Sequence, residues 1–176
     1  FANTIYSALF VTFFFPFYAK EFLGATEFQI GLVFGISLLA VGLLVPFIGA
    51  FSDTIGKKLP FIFFFTLVCC LSVLLITKAS LNTALLFAFF ANFSYHAALT
   101  TYNALLPRIA LKHEQGYISA IGVSLGYLGT LMGLGIAYIL LSKLGWETQF
   151  GIKGVFIATS SLFFLFSLIT FFGIKE

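Results

Sequence analysis

Every Lys, Arg, Asp and Glu of this chain lies in a connector or at the edge of one of six long apolar stretches, and no such charge stands inside any of them. The stretches cover about 1–19, 31–52, 60–77, 83–107, 117–142 and 154–173. Hydrocarbon about 30 Å thick is crossed by roughly 20 helical residues rising about 1.5 Å each, and a charge at its centre costs on the order of 3 kcal/mol. Each stretch therefore reads as a transmembrane helix. At 61% hydrophobic and 9% charged, the 176 residues carry more apolar surface than a water-soluble domain of this size can hide. The expected fold is an all-α membrane protein whose surrounding partner is the lipid bilayer. The net charge of +3 is dispersed over the connectors, which excludes a nucleic-acid footprint and an anionic-lipid arm. Cys69 and Cys70 are neighbours in the third stretch, point about 100° apart around a helix, and read as small packing residues. No metal ligand set, cofactor fingerprint or signal peptide is found.

Placed at about 100° per residue, the stretches differ in kind. In the second, Gly31, Gly35, Gly42 and Gly49 fall within about 40° of one another; in the fifth, Gly122, Gly126, Gly129 and Gly133 fall within about 60°. Such ridges let helix backbones approach closely in lipid, so these glycines are expected to pack. The first and fourth carry polar stripes: Asn3 and Ser7 on one, and Asn92, His96, Thr100 and Asn103 on the other, with Tyr95 and Tyr102 flanking. The third and sixth show only Ser, Thr and Cys among Phe and Leu, which suits lipid-facing helices. The order polar, glycine-ridged, greasy thus occurs twice. It predicts two three-helix units, a 3+3 inverted repeat of the kind that builds one half of a secondary transporter.

The connector between the second and third stretches reads GAFSDTIGKKLP, with Gly49, Asp53, Gly56 and the pair Lys57 and Lys58. This run resembles the signature loop of the major facilitator superfamily of secondary transporters. Within that superfamily the chain resembles the vacuolar amino-acid effluxers linked to autophagy and their prokaryotic relatives. Phe1, Ala2, Asn3, Thr4 and Tyr6 continue the family's first-helix opening, and Tyr102, Asn103, Ala104, Leu105, Leu106 and Pro107 match the end of its fourth helix. Gly116, Ser119, Gly122, Gly126, Tyr127 and Gly129 match the opening of its fifth. Arg108 departs from the acidic residue expected after the proline. The resemblance implies the N-terminal six-helix half of a transporter moving a small solute, an amino acid by efflux, through alternating access. It further implies a second six-helix half as partner, C-terminal in the same native chain. The chain opens on Phe1 and stops shortly after the last stretch, so both ends read as trimmed. Basic residues are split five against four between the two faces (Lys57, Lys58, Arg108, Lys112 and Lys175 against Lys20, Lys78, Lys143 and Lys153), which sets no orientation. The signature loop, cytoplasmic in the superfamily, puts both termini inside, in a prokaryotic cell membrane rather than a vacuolar one.

Each constellation carries two readings. Asp53 ends the second helix, where its charge opposes the helix dipole, and Arg108 ends the fourth on the same membrane face. With Gly49, Gly56, Lys57 and Lys58 they form a gating latch in which Asp53 caps a helix N-terminus of the other half or pairs with Arg108, or Asp53 is a solvated turn residue. His96 is the one titratable side chain well inside a stretch apart from tyrosines and cysteines. It lines a cavity, with a coupling proton as a further role, or is a neutral histidine bonded to a neighbouring helix. Asn3, Tyr6, Asn92, Tyr95, His96, Thr100 and Asn103 are the candidate substrate-cavity residues, against simple interhelical hydrogen bonding. Gly122, Ser124 and Gly126 spell a serine nucleophile motif, but inside a continuous helix, and the intramembrane His precedes the Ser, so no enzyme is expected. The alternative to a transporter is a non-transporting scaffold or receptor on the same fold, which solute uptake into vesicles separates.

Overall fold

The computed structural model describes residues 1–105, 113–146 and 148–173. Its long helices are α1 (Ala2–Glu21), α2 (Glu27–Ile55), α3 (Leu59–Ile76), α4 (Leu81–Asn103), α5 (Gln115–Leu144) and α6 (Gln149–Gly173), with no strand among the described residues. Five of these are long and apolar enough to cross a membrane by length and composition. The other, α4, has 23 residues but is made less apolar by its polar arc.

Several helices outrun the apolar limits expected of them, and for α2 and α6 the reason is capping. Thr26 accepts from the Gln29 amide and Gln29 returns the bond to the Thr26 amide, a capping box that starts α2 four residues before position 31. Gly56 closes α2 at φ 76°, a left-handed conformation that only glycine adopts cheaply, and its amide donates to the Ser52 and Asp53 carbonyls. The Gly151 amide donates to Thr148 Oγ1, which starts α6 at Gln149 rather than near 154. Conversely α4 ends at Asn103 and not at 107.

Within α1, Ser7–Phe14 is wound as a π-helix. Pro16 supplies the reason: it has no N–H to donate, and its ring excludes the carbonyl four residues back, so the chain widens ahead of it. Thr12 Oγ1 donates to the Ser7 carbonyl, five residues back, at 3.1 Å and supports the wider turn.

The helices pair both with sequence neighbours, as α3 with α4 and α5 with α6, and across the chain. α1 packs on α5 and α6, α4 packs on α2 and α3, and α3 crosses α6. Tyr6, Phe10, Phe15 and Tyr18 of α1 are fully buried, with Tyr6 against Phe163 and Phe10 and Tyr18 against Phe156 of α6. On α4, Ala84, Ala88, Ala91, Ser94, Ala98 and Thr101 are all buried at helical spacing. These small side chains allow its extensive contact with α3.

Two expectations from the sequence are corrected here. α3 and α6, expected to face lipid, are each buried along one face, Thr66, Cys69, Cys70 and Ser72 on α3 and Thr159, Ser160 and Ser167 on α6. Their small polar side chains make the contact: the Cys70 thiol donates to the Ser160 carbonyl at 3.6 Å and the Ser160 hydroxyl to the Cys70 carbonyl at 3.1 Å. The glycine ridges also part company. A Cβ at Gly31, Gly35, Gly42, Gly49 or Gly122 meets nothing within 4 Å, whereas Gly126, Gly129 and Gly133 lie directly against Phe1, Thr4, Ile5 and Leu9 of the first segment.

Candidate functional site

The first helix turn of α1, the last of α4 and the first of α5 converge at one end of the bundle on a cleft of about 420 Å³. Asn3 and Thr4 reach it from α1, Tyr102 and Asn103 from α4, and Ser119 and Gly122 from α5. Among the described residues no Lys, Arg, Asp, Glu or His lines it. What it offers a solute is neutral hydrogen-bonding groups set in apolar walls. Thr4 ties the wall together: its hydroxyl lies 2.7 Å from both the Phe1 and the Gly126 carbonyl oxygens, bracing α1 against α5.

The seven cavity candidates separate by depth. Asn3 and Asn103 meet in the cleft. Thr100 is exposed on α4, with its hydroxyl donating to the His96 carbonyl at 2.9 Å. His96 is half-buried, its ring edge-on to Tyr95 at 4.8 Å. Tyr95 is buried, stacks on Tyr6 at 4.6 Å and donates to the Asn3 carbonyl at 3.2 Å, which couples α4 to the backbone beneath the cleft. Tyr6 and Asn92 belong to the packed interior. Asn92 Nδ2 donates to Ser37 Oγ of α2 at 2.6 Å, while Asn92 Oδ1 and the Tyr6 hydroxyl are buried with no hydrogen-bond partner among the described residues. Sequence reasoning missed Ser37, a single hydroxyl residue without a motif, and placed Thr4 in the first-helix opening without counting it among the cavity residues. It also missed the alanine and serine ridge of α4, whose spacing was the available signal.

Within the signature loop an acid and a base are paired. Lys58 is buried at the start of α3, and its ammonium stands 2.8 Å from the Asp53 carboxylate, which is 61% exposed. A cation at the C-terminal end of α2 suits the helix dipole that Asp53 alone would oppose. Lys57 is exposed beside it. Arg108, the expected partner of Asp53, lies outside the described residues. Ser124 sits in the middle of α5 with its hydroxyl donating to the Ala120 carbonyl at 2.9 Å, away from any strand-to-helix turn.

Apolar helices of spanning length around a polar cleft define an integral, multi-pass membrane protein. The chain belongs to the major facilitator superfamily, a family of membrane transporters, whose model matches residues 1–172. It is 32% identical over 139 residues to an uncharacterized protein of Aquifex aeolicus (strain VF5), an alignment covering 75% of this chain and 34% of that protein. The chain thus spans about a third of the length of this curated relative. No solved structure matches it.

Proposed function

We propose that this chain is one six-helix half of a secondary transporter and that its α1–α4–α5 cleft is this half's share of the solute path. The observation that carries the reading is the convergence of Asn3, Tyr102, Asn103 and Ser119 on a cleft that no charged side chain lines among the described residues. Neutral donors and acceptors suit a zwitterion such as an amino acid, held by hydrogen bonds on this side and by the groups of a second bundle on the other. The pairing of α1 with α5 and α6, matched by that of α4 with α2 and α3, supports a 3+3 inverted repeat, because each first helix then meets the second and third of the other triplet. The open glycine face of α2 and the exposed outer face of α5 leave surface for that second bundle. Efflux across a prokaryotic cell membrane, with both termini of this segment cytoplasmic, follows from the sequence resemblance. His96, half-buried between cleft and core, is the coupling-proton candidate.

The test is labelled amino-acid flux in vesicles carrying the full-length protein, with single cysteines at positions 103 and 92. The cysteine at 103 should react with a water-soluble thiol reagent and be protected by a transported amino acid, while that at 92 stays unreactive. Saturable binding without flux would favour a receptor on this fold. An unreactive position 103 in an active protein would remove the cleft from the solute path.

A further inference from the structure

Two buried oxygens of the packed interior, Asn92 Oδ1 and the Tyr6 hydroxyl, have no hydrogen-bond partner among the described residues. Asn92 is 1% exposed and Tyr6 is fully buried. A polar atom left unpaired at such depth is costly, so each calls for a partner. Turning the Asn92 amide over does not supply one. Ser37 Oγ gives its single hydrogen to the Phe34 carbonyl at 2.7 Å, so toward Asn92 it only accepts, and at 2.6 Å it accepts from Nδ2. Oδ1 is thereby held on the other side of the amide from Ser37.

The Tyr6 hydroxyl lies at the depth of Asn92. The Tyr6 ring stacks at 4.6 Å on Tyr95, one turn from Asn92 along α4, and its oxygen lies beside the Cys69 thiol without an aligned hydrogen bond. α4 folds back along α3 through the short connector 77–80, and the two helices meet at Phe65 and Phe93, with ring centroids 6.2 Å apart. One turn further along α3 is Cys69, and the facing turn of α4 is the one that ends at Asn92. Tyr6, Cys69 and Asn92, from three helices, thus share one level of the bundle interior.

We infer that this level is a binding site for one buried water molecule, which accepts the Tyr6 O–H and donates to Asn92 Oδ1. Chemistry selects the occupant. Asn92 Oδ1 requires a donor and the Tyr6 proton an acceptor, and water is both in a single atom, with its second hydrogen directed to the weak acceptor Cys69 Sγ. Those three partners are what an internal water ordinarily has. A metal cation would satisfy Oδ1 but leave the tyrosine proton unpaired, and it would bring an uncompensated charge among Phe10, Tyr95 and Phe163. The water ties α1 to α4 and, through Asn92 and Ser37, to α2. It belongs to the interior and not to the cleft, so the inference holds whatever the solute transported.

The test has two arms, both on the full-length protein. A density map fine enough to show ordered waters should hold a peak within hydrogen-bond distance of both Tyr6 Oη and Asn92 Oδ1, and Tyr6→Phe should remove or displace it. Reversible unfolding in mixed micelles is the second arm. Tyr6→Phe should lower the folded-to-unfolded ratio about fivefold, the worth of one net hydrogen bond, and should not lower it in an Asn92→Leu background, where the water has already lost its acceptor. The map and the single Tyr6→Phe variant decide the matter even if Asn92→Leu does not fold. Four results would overturn the assignment. Tyr6→Phe that is neutral or stabilising on its own would leave the hydroxyl without a partner, and an equal loss in both backgrounds would give it a partner not shared with Asn92. A map in which Tyr6 and Asn92 touch directly would replace the water by a side-chain bond, and a peak that vanishes when sodium and potassium are exchanged for choline would belong to a cation.

Discussion

Gly129 is where α5 comes closest to the first segment, and Gly129→Ala puts that joint under load. A Cβ there would stand 2.8 Å from the Phe1 carbonyl oxygen, 3.0 Å from Thr4 Oγ1 and 3.1 Å from Phe1 Cδ2. The nearest of these is backbone, already accepting from the Ile5 amide, so it cannot swing aside as a side-chain tip would. Relief requires the two helices to part, which stretches the 2.7 Å bond from Thr4 to the Gly126 carbonyl. Overpacking costs about 1–3 kcal/mol and a strained hydrogen bond about 1 kcal/mol, against about 1 kcal/mol regained from helix propensity. The net expectation is destabilisation by about 1–3 kcal/mol. Gly135 on the same helix has nothing within 4 Å, so Gly135→Ala keeps only the propensity gain. Reversible unfolding of the full-length protein in mixed micelles should therefore separate the two variants by about 2–4 kcal/mol. Gly126→Ala and Gly133→Ala should fall between them, since their added carbons meet side chains, at 3.0 Å and 3.3 Å. An unchanged midpoint for Gly129→Ala, or greater damage from Gly135→Ala, would refute the close α1–α5 contact.

Asp53→Asn should cut vesicle transport several-fold while leaving abundance near normal, because it strips the carboxylate from the buried Lys58 ammonium at a site that remains largely exposed. If Asp53→Asn keeps full flux and unchanged thiol labelling of the cytoplasmic side, the pair is only a turn contact. His96→Gln should retain solute exchange but lose uphill accumulation if the imidazole carries the coupling proton; accumulation equal to wild type would dismiss that role. Pro16→Ala restores an amide and should let α1 return to α-winding, slowing hydrogen exchange across Ser7–Phe14. Exchange that stays the same in that segment would mean Pro16 is not the cause of the π-winding.

The sequence made the helices legible and the contacts between them only partly so. Angular periodicity put Gly122 on one ridge with Gly126 and Gly129, but only the latter two touch the first segment, because a helix face does not name its neighbour. It put Asn92 and Asn103 on one arc as well, and there depth separates them. Eleven residues at about 1.5 Å each leave Asn92 roughly 16 Å along the helix from Asn103, clasped to Ser37 in the interior. In α1 the rule of about 100° per residue breaks at Ser7, where the π-winding starts. Composition misled on α3 and α6 because Ser, Thr and Cys, scattered thinly among Phe and Leu, are the residues at the contact between these helices. The signature loop was legible from its spacing, although the partner found for Asp53 among the described residues, Lys58, comes from the motif itself.

The crosswise pairing of helices bears on how the chain is made. The Thr4 hydroxyl finds its acceptor on Gly126, 122 residues later. At a synthesis rate of about 5–20 residues per second, α1 waits roughly 6–25 s in the membrane before α5 emerges to meet it. During that interval Asn3, Thr4 and Tyr6 sit in a helix whose main partners, α5 and α6, do not yet exist. Until α5 and α6 are made, the nascent chain therefore holds the Thr4 hydroxyl and its buried neighbours without the helices that later cover them.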